Sequence, residues 1–328
     1  MAVLQKEAGG PLYFEEIPTP KPEKGEVLVK MEYSPINPSD LSFLQGSYAE
    51  KPSYPAIPGI EGSGTVVASG GGFIANLRKG KRVTCTSTHG KGGSWSEYMV
   101  TSAMNVIPIK SNTSFEQAAS LIVNPLTAIA FIDIAKKGKH KVIFNNAAGG
   151  ALGKMIVRLG QANQIKVISM VRNENQVKAL KALGADFVIN QTNHDFRQEL
   201  KKIMQQLRPT LILDAVGGPM MEELVEFSPE GSIIMPYANL SEEKSAFDPR
   251  KLLQQDKKII GFFLGNYTSK QNILKVLKST KVAQKLIGSE LKTDIQSIFP
   301  AASANEAVKT YKENMSIGKV LLDLNINR

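Results

Sequence analysis

Two periods alternate along the chain after about residue 115. The run Lys141-Val142-Ile143-Phe144-Asn145 is short, apolar and ends at a glycine-rich turn, the pattern of a strand buried on both faces. Leu152, Met155, Ile156 and Leu159 follow at i, i+3, i+4 and i+7, which marks one face of a helix. Lys166–Val171 predicts a second strand, and a helix over 177–183 stops at Gly184. Further strands are expected at 187–189, Leu211–Asp214, 232–235 and 259–263. Strands alternating with helices predict βαβ units and a parallel, doubly wound sheet.

The first 110 residues read differently. Short apolar pieces such as Val27-Leu28-Val29, Gly64-Thr65-Val66-Val67 and Arg82-Val83-Thr84-Cys85 alternate with proline and glycine clusters. Pro18, Pro20, Pro22, Pro35, Pro38, Pro52, Pro55 and Pro58 are read as helix breakers, so a compact β-rich domain with long loops is expected. Lys319-Val320-Leu321-Leu322 predicts a closing strand. The organisation expected is therefore α/β, with a β-rich domain over 1–115, a doubly wound domain over 116–265 and a C-terminal return over 266–328.

Composition narrows the function classes. With 42% hydrophobic and 21% charged residues among 328, the chain is an ordinary globular one. No run of 18 apolar residues predicts a membrane span, and the N-terminus shows no secretory signal. A soluble intracellular protein of the cytoplasm or mitochondrial matrix is expected. The single cysteine, Cys85, rules out an internal disulfide or a multi-thiolate metal site. Cys85 is expected as a buried thiol, His89 in an exposed loop and Trp95 packed between loops. Forty basic against 30 acidic residues leave a formal charge of +10, but the lysines are dispersed. That favours a solvated surface with some attraction for phosphorylated small molecules over nucleic-acid binding.

The strongest chemical signal is the turn Ala148-Gly149-Gly150-Ala151-Leu152-Gly153. Counted back from Gly153 it is the G-x-G-x-x-G frame with alanine first. Gly150 lets backbone N–H groups approach a pyrophosphate, Gly153 lets the helix pack on the strand, and the helix N-terminus faces the anion. An NAD site usually places Asp or Glu at the end of the second strand. Here Val171-Arg172-Asn173 stands there instead. A guanidinium cannot accept ribose hydroxyl protons but suits a 2′-phosphate, so NADPH is the expected cofactor.

Several motifs resemble the medium-chain dehydrogenase/reductase superfamily over nearly the whole length. They are Asn37-Pro38-Ser39-Asp40, Pro58-Gly59-Ile60-Glu61-Gly62-Ser63-Gly64, Gly93-Ser94-Trp95-Ser96-Glu97-Tyr98, Asn124-Pro125-Leu126-Thr127-Ala128, the nucleotide turn, Ala182-Leu183-Gly184-Ala185-Asp186, Asp214-Ala215-Val216-Gly217-Gly218 and Gly318-Lys319-Val320. The resemblance implies a GroES-like β domain, a Rossmann domain, a C-terminal return to the first and a cleft between them. Zinc-dependent members carry a histidine ligand where Ile60 stands and a cysteine near Asn37, so a zinc-independent enzyme with no metal site is expected.

Within that branch the chain is similar to quinone oxidoreductases and to 2-enoyl thioester reductases, whose loop resembles 36–48 and ends in a tyrosine. The resemblance implies reduction of quinones, enones or enoyl thioesters by hydride from NADPH. It makes Tyr48 the proton donor, has Asn37 hold cofactor or carbonyl oxygen, and places Thr127, Gly149, Gly150, Gly153, Arg172, Phe263, Leu264 and Lys319 at the cofactor. A homodimer through the Rossmann sheet edge is also implied. A catalytically quiet nucleotide-binding subunit of a larger assembly is the alternative.

Overall fold

The computed structural model of the chain describes residues 1–48, 52–88 and 90–325, so His89 lies outside the described residues. The chain divides into two compact units. Met1–Val123, Thr280–Gly288 and Lys292–Arg328 make the first; Asn124–Ser279 and Ser289–Leu291 make the second.

The first unit is organised by one long strand, Glu26–Pro35, whose apolar positions are buried. One long edge of that strand pairs antiparallel with Glu61–Ser69. The other edge is shared by two partners. Residues 26–30 pair with Tyr98–Ser102, and residues 33–35 with Lys319–Asp323. The sheet runs Ile295–Pro300, Lys319–Asp323, Glu26–Pro35, Glu61–Ser69, Arg82–Thr86, Val106–Pro108. Its core joins Val27, Val29, Met31, Val83 and Met99 to Val320, Leu322 and Tyr311 from the far end of the sequence. Cys85 and Trp95 are fully buried in it, and burial pushes the Cys85 thiol up.

This unit also holds helices. Pro38 does not break one; it opens Pro38–Leu44, where its missing N–H is one that a first turn leaves unbonded. Asn37 is the N-cap, and its backbone N–H donates to Asp40 Oδ2 at 2.7 Å.

The second unit is a six-stranded parallel sheet in the order Phe187–Asn190, Lys166–Val171, Val142–Asn145, Leu211–Asp214, Ile233–Pro236, Lys258–Ile259. Sequence order reverses between Val142–Asn145 and Leu211–Asp214, which creates the crevice where such sheets bind ligands. Phe144, Ile168, Ile212 and Ile234 fill its core. The last strand is shorter than the 259–263 expected, covering Lys258–Ile259. The chain still continues alongside, with Ile260 and Phe262 N–H groups donating to Ile234 and Pro236 carbonyls at 2.9 and 2.8 Å. At Phe263 it turns into the helix Leu264–Ser269. Among the described residues no helix is long and apolar enough to cross a membrane.

Candidate functional site

In the first unit a polar cluster lies inside the protein. Asn37, Asp40, Glu61 and Lys319 are each exposed by no more than 1%. The Lys319 ammonium donates to the Asn37 side-chain oxygen and, at 3.1 Å, to the Ile36 carbonyl. The Asn37 amide nitrogen donates to Glu61 Oε1 at 3.1 Å. An ammonium can only donate and a carboxylate accepts, so the two partners fix which way the carboxamide faces. Glu61 Oε2 accepts from the Ile122 and Val123 backbone N–H groups at 3.0 and 2.9 Å.

Burial sets the electrostatics of this cluster. It pushes the Asp40 carboxyl up to about 7, against the Asn37 N–H and the Lys319 ammonium, which favour the charged form. Glu61 is likewise raised by burial. Burial drives Lys319 down to about 8, while Glu61 and Asp40 resist that fall. Tyr311 closes one side, its ring centroid 5.5 Å from the Lys319 nitrogen.

Tyr48 follows the helix Pro38–Leu44, its N–H donating to the Ser42 carbonyl at 3.2 Å. Half-burial and the Asp40 carboxylate push its phenol up to about 12, so it keeps its proton throughout the neutral range. The structure thus brings Asn37 and Lys319 into direct contact. Lys319, expected at the cofactor, has its ammonium on Asn37 and Ile36. Asp40 and Glu61 were not singled out as site residues; carboxylates inside glycine- and proline-rich segments were the available signal.

The second unit holds the glycine turn. Gly150 is the N-cap of the twelve-residue helix Ala151–Ala162. A Cβ on Gly153 would fall 2.4 Å from the Ala148 carbonyl oxygen and 2.5 Å from its Cα, so the strand–helix joint admits no side chain there. A Cβ on Gly150 would meet only the Ala147 carbonyl oxygen, at 3.5 Å, which leaves its outer face open. Arg172 extends from the end of Lys166–Val171 with its side chain exposed.

Polar atoms gather where the sheet order reverses. Asp214 Oδ1 accepts from Asn146 Nδ2 and from the Val216 and Gly217 N–H groups, and Asn146 Oδ1 accepts from the Ala215 N–H at 2.7 Å. Asn145 Nδ2, Ser169 Oγ and Asp214 Oδ2 are buried here with no hydrogen-bond partner. Buried polar atoms are seldom left so unless something else supplies their partner. An open glycine face at a helix N-terminus, an exposed arginine and these orphaned atoms fit a dinucleotide. Thr127 is buried in the second turn of the helix Val123–Lys137. Phe263 is 44% exposed and Leu264 half-buried. Among the described residues no three His, Cys, Asp or Glu are grouped to hold a metal ion.

Sheet order and glycine turn together define a Rossmann-like, dinucleotide-binding architecture. Residues 23–111 match the alcohol dehydrogenase GroES-like domain, and residues 151–279 match the zinc-binding dehydrogenase domain. The chain is 30% identical to a mitochondrial enoyl-acyl-carrier-protein reductase of Caenorhabditis elegans over 83% of this chain and 80% of that protein. It is 31% identical to the Rattus norvegicus mitochondrial enoyl-acyl-carrier-protein reductase over 75% of this chain, and it spans only 66% of that protein's length. A Mesorhizobium loti protein assigned as an NADPH:quinone reductase superposes with a TM-score of 0.91 at 30% identity, covering 98% of this chain and 97% of its own. The chain belongs to the medium-chain dehydrogenase/reductase superfamily, with its GroES-like β domain and Rossmann-like sheet.

Proposed function

We propose that the protein is an NADPH-dependent, zinc-independent reductase of activated double bonds, acting on quinones, enones or enoyl thioesters. The observation that carries this reading is the open glycine turn with Arg172, rather than an acid, at the end of the second strand. Ile60, where zinc-dependent relatives carry a histidine ligand, and the loop at Asn37, which lacks their cysteine, support a reaction that needs no metal. The names of the enoyl reductase and quinone reductase relatives bound the substrate class.

Gly149, Gly150 and the amides opening Ala151–Ala162 would hold the pyrophosphate, Arg172 the 2′-phosphate, and Thr127, Phe263 and Leu264 would line the nicotinamide end. NADPH, when bound, supplies the hydride. The chain's own residues must then stabilise negative charge at the substrate oxygen and deliver a proton. Tyr48 holds that proton in the neutral range. Asn37, locked by Lys319 and Glu61, keeps its remaining amide hydrogen and lone pair in a fixed direction. Exposed Ile260 beside the short edge strand supports a homodimer through that edge.

Fluorescence titration tests the cofactor assignment. Pairing of Arg172 with the 2′-phosphate predicts roughly 1.5–3 kcal/mol in favour of NADPH over NADH. Arg172→Ala should remove most of that difference. Equal affinity in the unmutated protein would refute the assignment.

A further inference from the structure

The G-x-G-x-x-G frame does not itself require a glycine at Gly149, which occupies a variable position. The structure supplies a reason for one. A Cβ on Gly149 would fall 2.9 Å from Gln176 Cδ, 3.0 Å from its Cγ and 3.2 Å from its Oε1. Gln176 belongs to the helix Glu174–Ala182, and its side chain, 9% exposed, lies folded over the glycine turn. Its Oε1 accepts the backbone N–H of Arg172 at 2.9 Å. Its own N–H donates to the Asn173 side chain at 3.0 Å, so the base of the side chain is held by the helix cap.

One carboxamide therefore spans two segments, the turn that would take the pyrophosphate and the arginine that would take the 2′-phosphate. We propose that Gln176 is a specificity-determining positioning residue: it fixes the backbone of Arg172 relative to the glycine turn and so sets the preference for a 2′-phosphorylated dinucleotide. This rests on the reading of Arg172 given above. Arg172 follows the last strand residue, and without the bond from Gln176 its N–H has no place in the sheet ladder. An exposed arginine on an unpinned backbone retains its charge but loses the direction that a bidentate contact requires.

The test uses binding rather than turnover. NADPH and NADH dissociation constants are measured by fluorescence titration for the full chain and for Gln176→Leu, Gln176→Glu and Arg172→Ala, with a thermal melt of each. Leucine preserves the packing against Gly149 and removes the acceptor. NADPH affinity should fall about 3- to 10-fold, the worth of one neutral hydrogen bond, with NADH affinity nearly unchanged. Glutamate keeps the acceptor but places a negative charge beside the arginine, so NADPH should again weaken selectively. If both Gln176 variants keep the unmutated NADPH:NADH ratio while Arg172→Ala collapses it, the inference is wrong and the Arg172 reading stands. A Gln176 variant that weakens both cofactors equally and melts lower would likewise overturn it, leaving a packing role. An Arg172→Ala protein that keeps the full preference overturns both.

Discussion

An ammonium bonded to a carboxamide and a backbone carbonyl, with two carboxylates in the same buried cluster, is held by its geometry as much as by its charge. Lys319, Asn37, Glu61 and Asp40 each lose hydration on folding, and the attraction among them offsets that loss only because nearly every polar atom finds a partner. Asp40 is the member with an oxygen, Oδ1, left without one. Its folded value near 7 lies above the ordinary carboxylate value of the unfolded chain, so the folded state binds the proton more tightly. Stability from that proton is present below about pH 4 and is lost as pH rises through about 7. Asp40→Asn keeps an acceptor for the Asn37 N–H and cannot ionise. Thermal melts from pH 4 to 8 should show the unmutated protein falling relative to the variant by about 2–4 kcal/mol over that window. A gap independent of pH would mean that Asp40 does not titrate there. The sequence marked Arg172 by residue type and setting, and Asn37 and Tyr48 through the family resemblance. It could not mark Asp40 and Glu61 as buried, because that depends on Lys319, 282 positions beyond Asn37.

The strand–turn–helix element shows how two glycines three residues apart answer to different demands. At Gly153 the obstacle is backbone, the Ala148 carbonyl and Cα, which cannot swing aside. Gly153→Ala should therefore destabilise the fold by about 1–3 kcal/mol, read from chemical denaturation, with NADPH binding weakened only as far as the joint shifts. At Gly150 the added methyl meets only one oxygen at ordinary distance. Gly150→Ala should leave the denaturation midpoint in place while reducing NADPH affinity, because the methyl stands where the phosphate approaches. The reverse pattern would misassign both residues. This element was legible in one dimension, since an apolar run, glycines and a 3.6-residue period are all local signals. Pro38 was not, because a proline that opens a helix and one that breaks it look alike until the preceding cap is seen. The strand expected over 259–263 was too long because hydropathy continues past Ile259, while the ladder has a partner on one side only.

At the scale of the whole chain, the β-rich unit is completed by residues from the far end of the sequence. Lys319–Asp323 lies between Ile295–Pro300 and Glu26–Pro35, and it carries Lys319 to Asn37. The strand itself was visible in the sequence; its place in the first sheet followed from the family resemblance. The proposed chemistry is divided between the units, with Tyr48 and Asn37 in the first and the glycine turn and Arg172 in the second. Neither unit alone carries the reaction proposed, so the decisive measurement is made on the full chain. NADPH oxidation is followed at neutral pH with a crotonyl thioester and with a quinone, in the unmutated protein and in Tyr48→Phe. The account predicts turnover of NADPH by the unmutated chain. Loss of the phenolic proton should lower kcat on the thioester by about 10²–10⁴-fold, and far less on the quinone, whose reduced oxygens take protons from water. Tight NADPH binding without turnover of either substrate would contradict the account and leave a nucleotide-binding subunit without reductase activity.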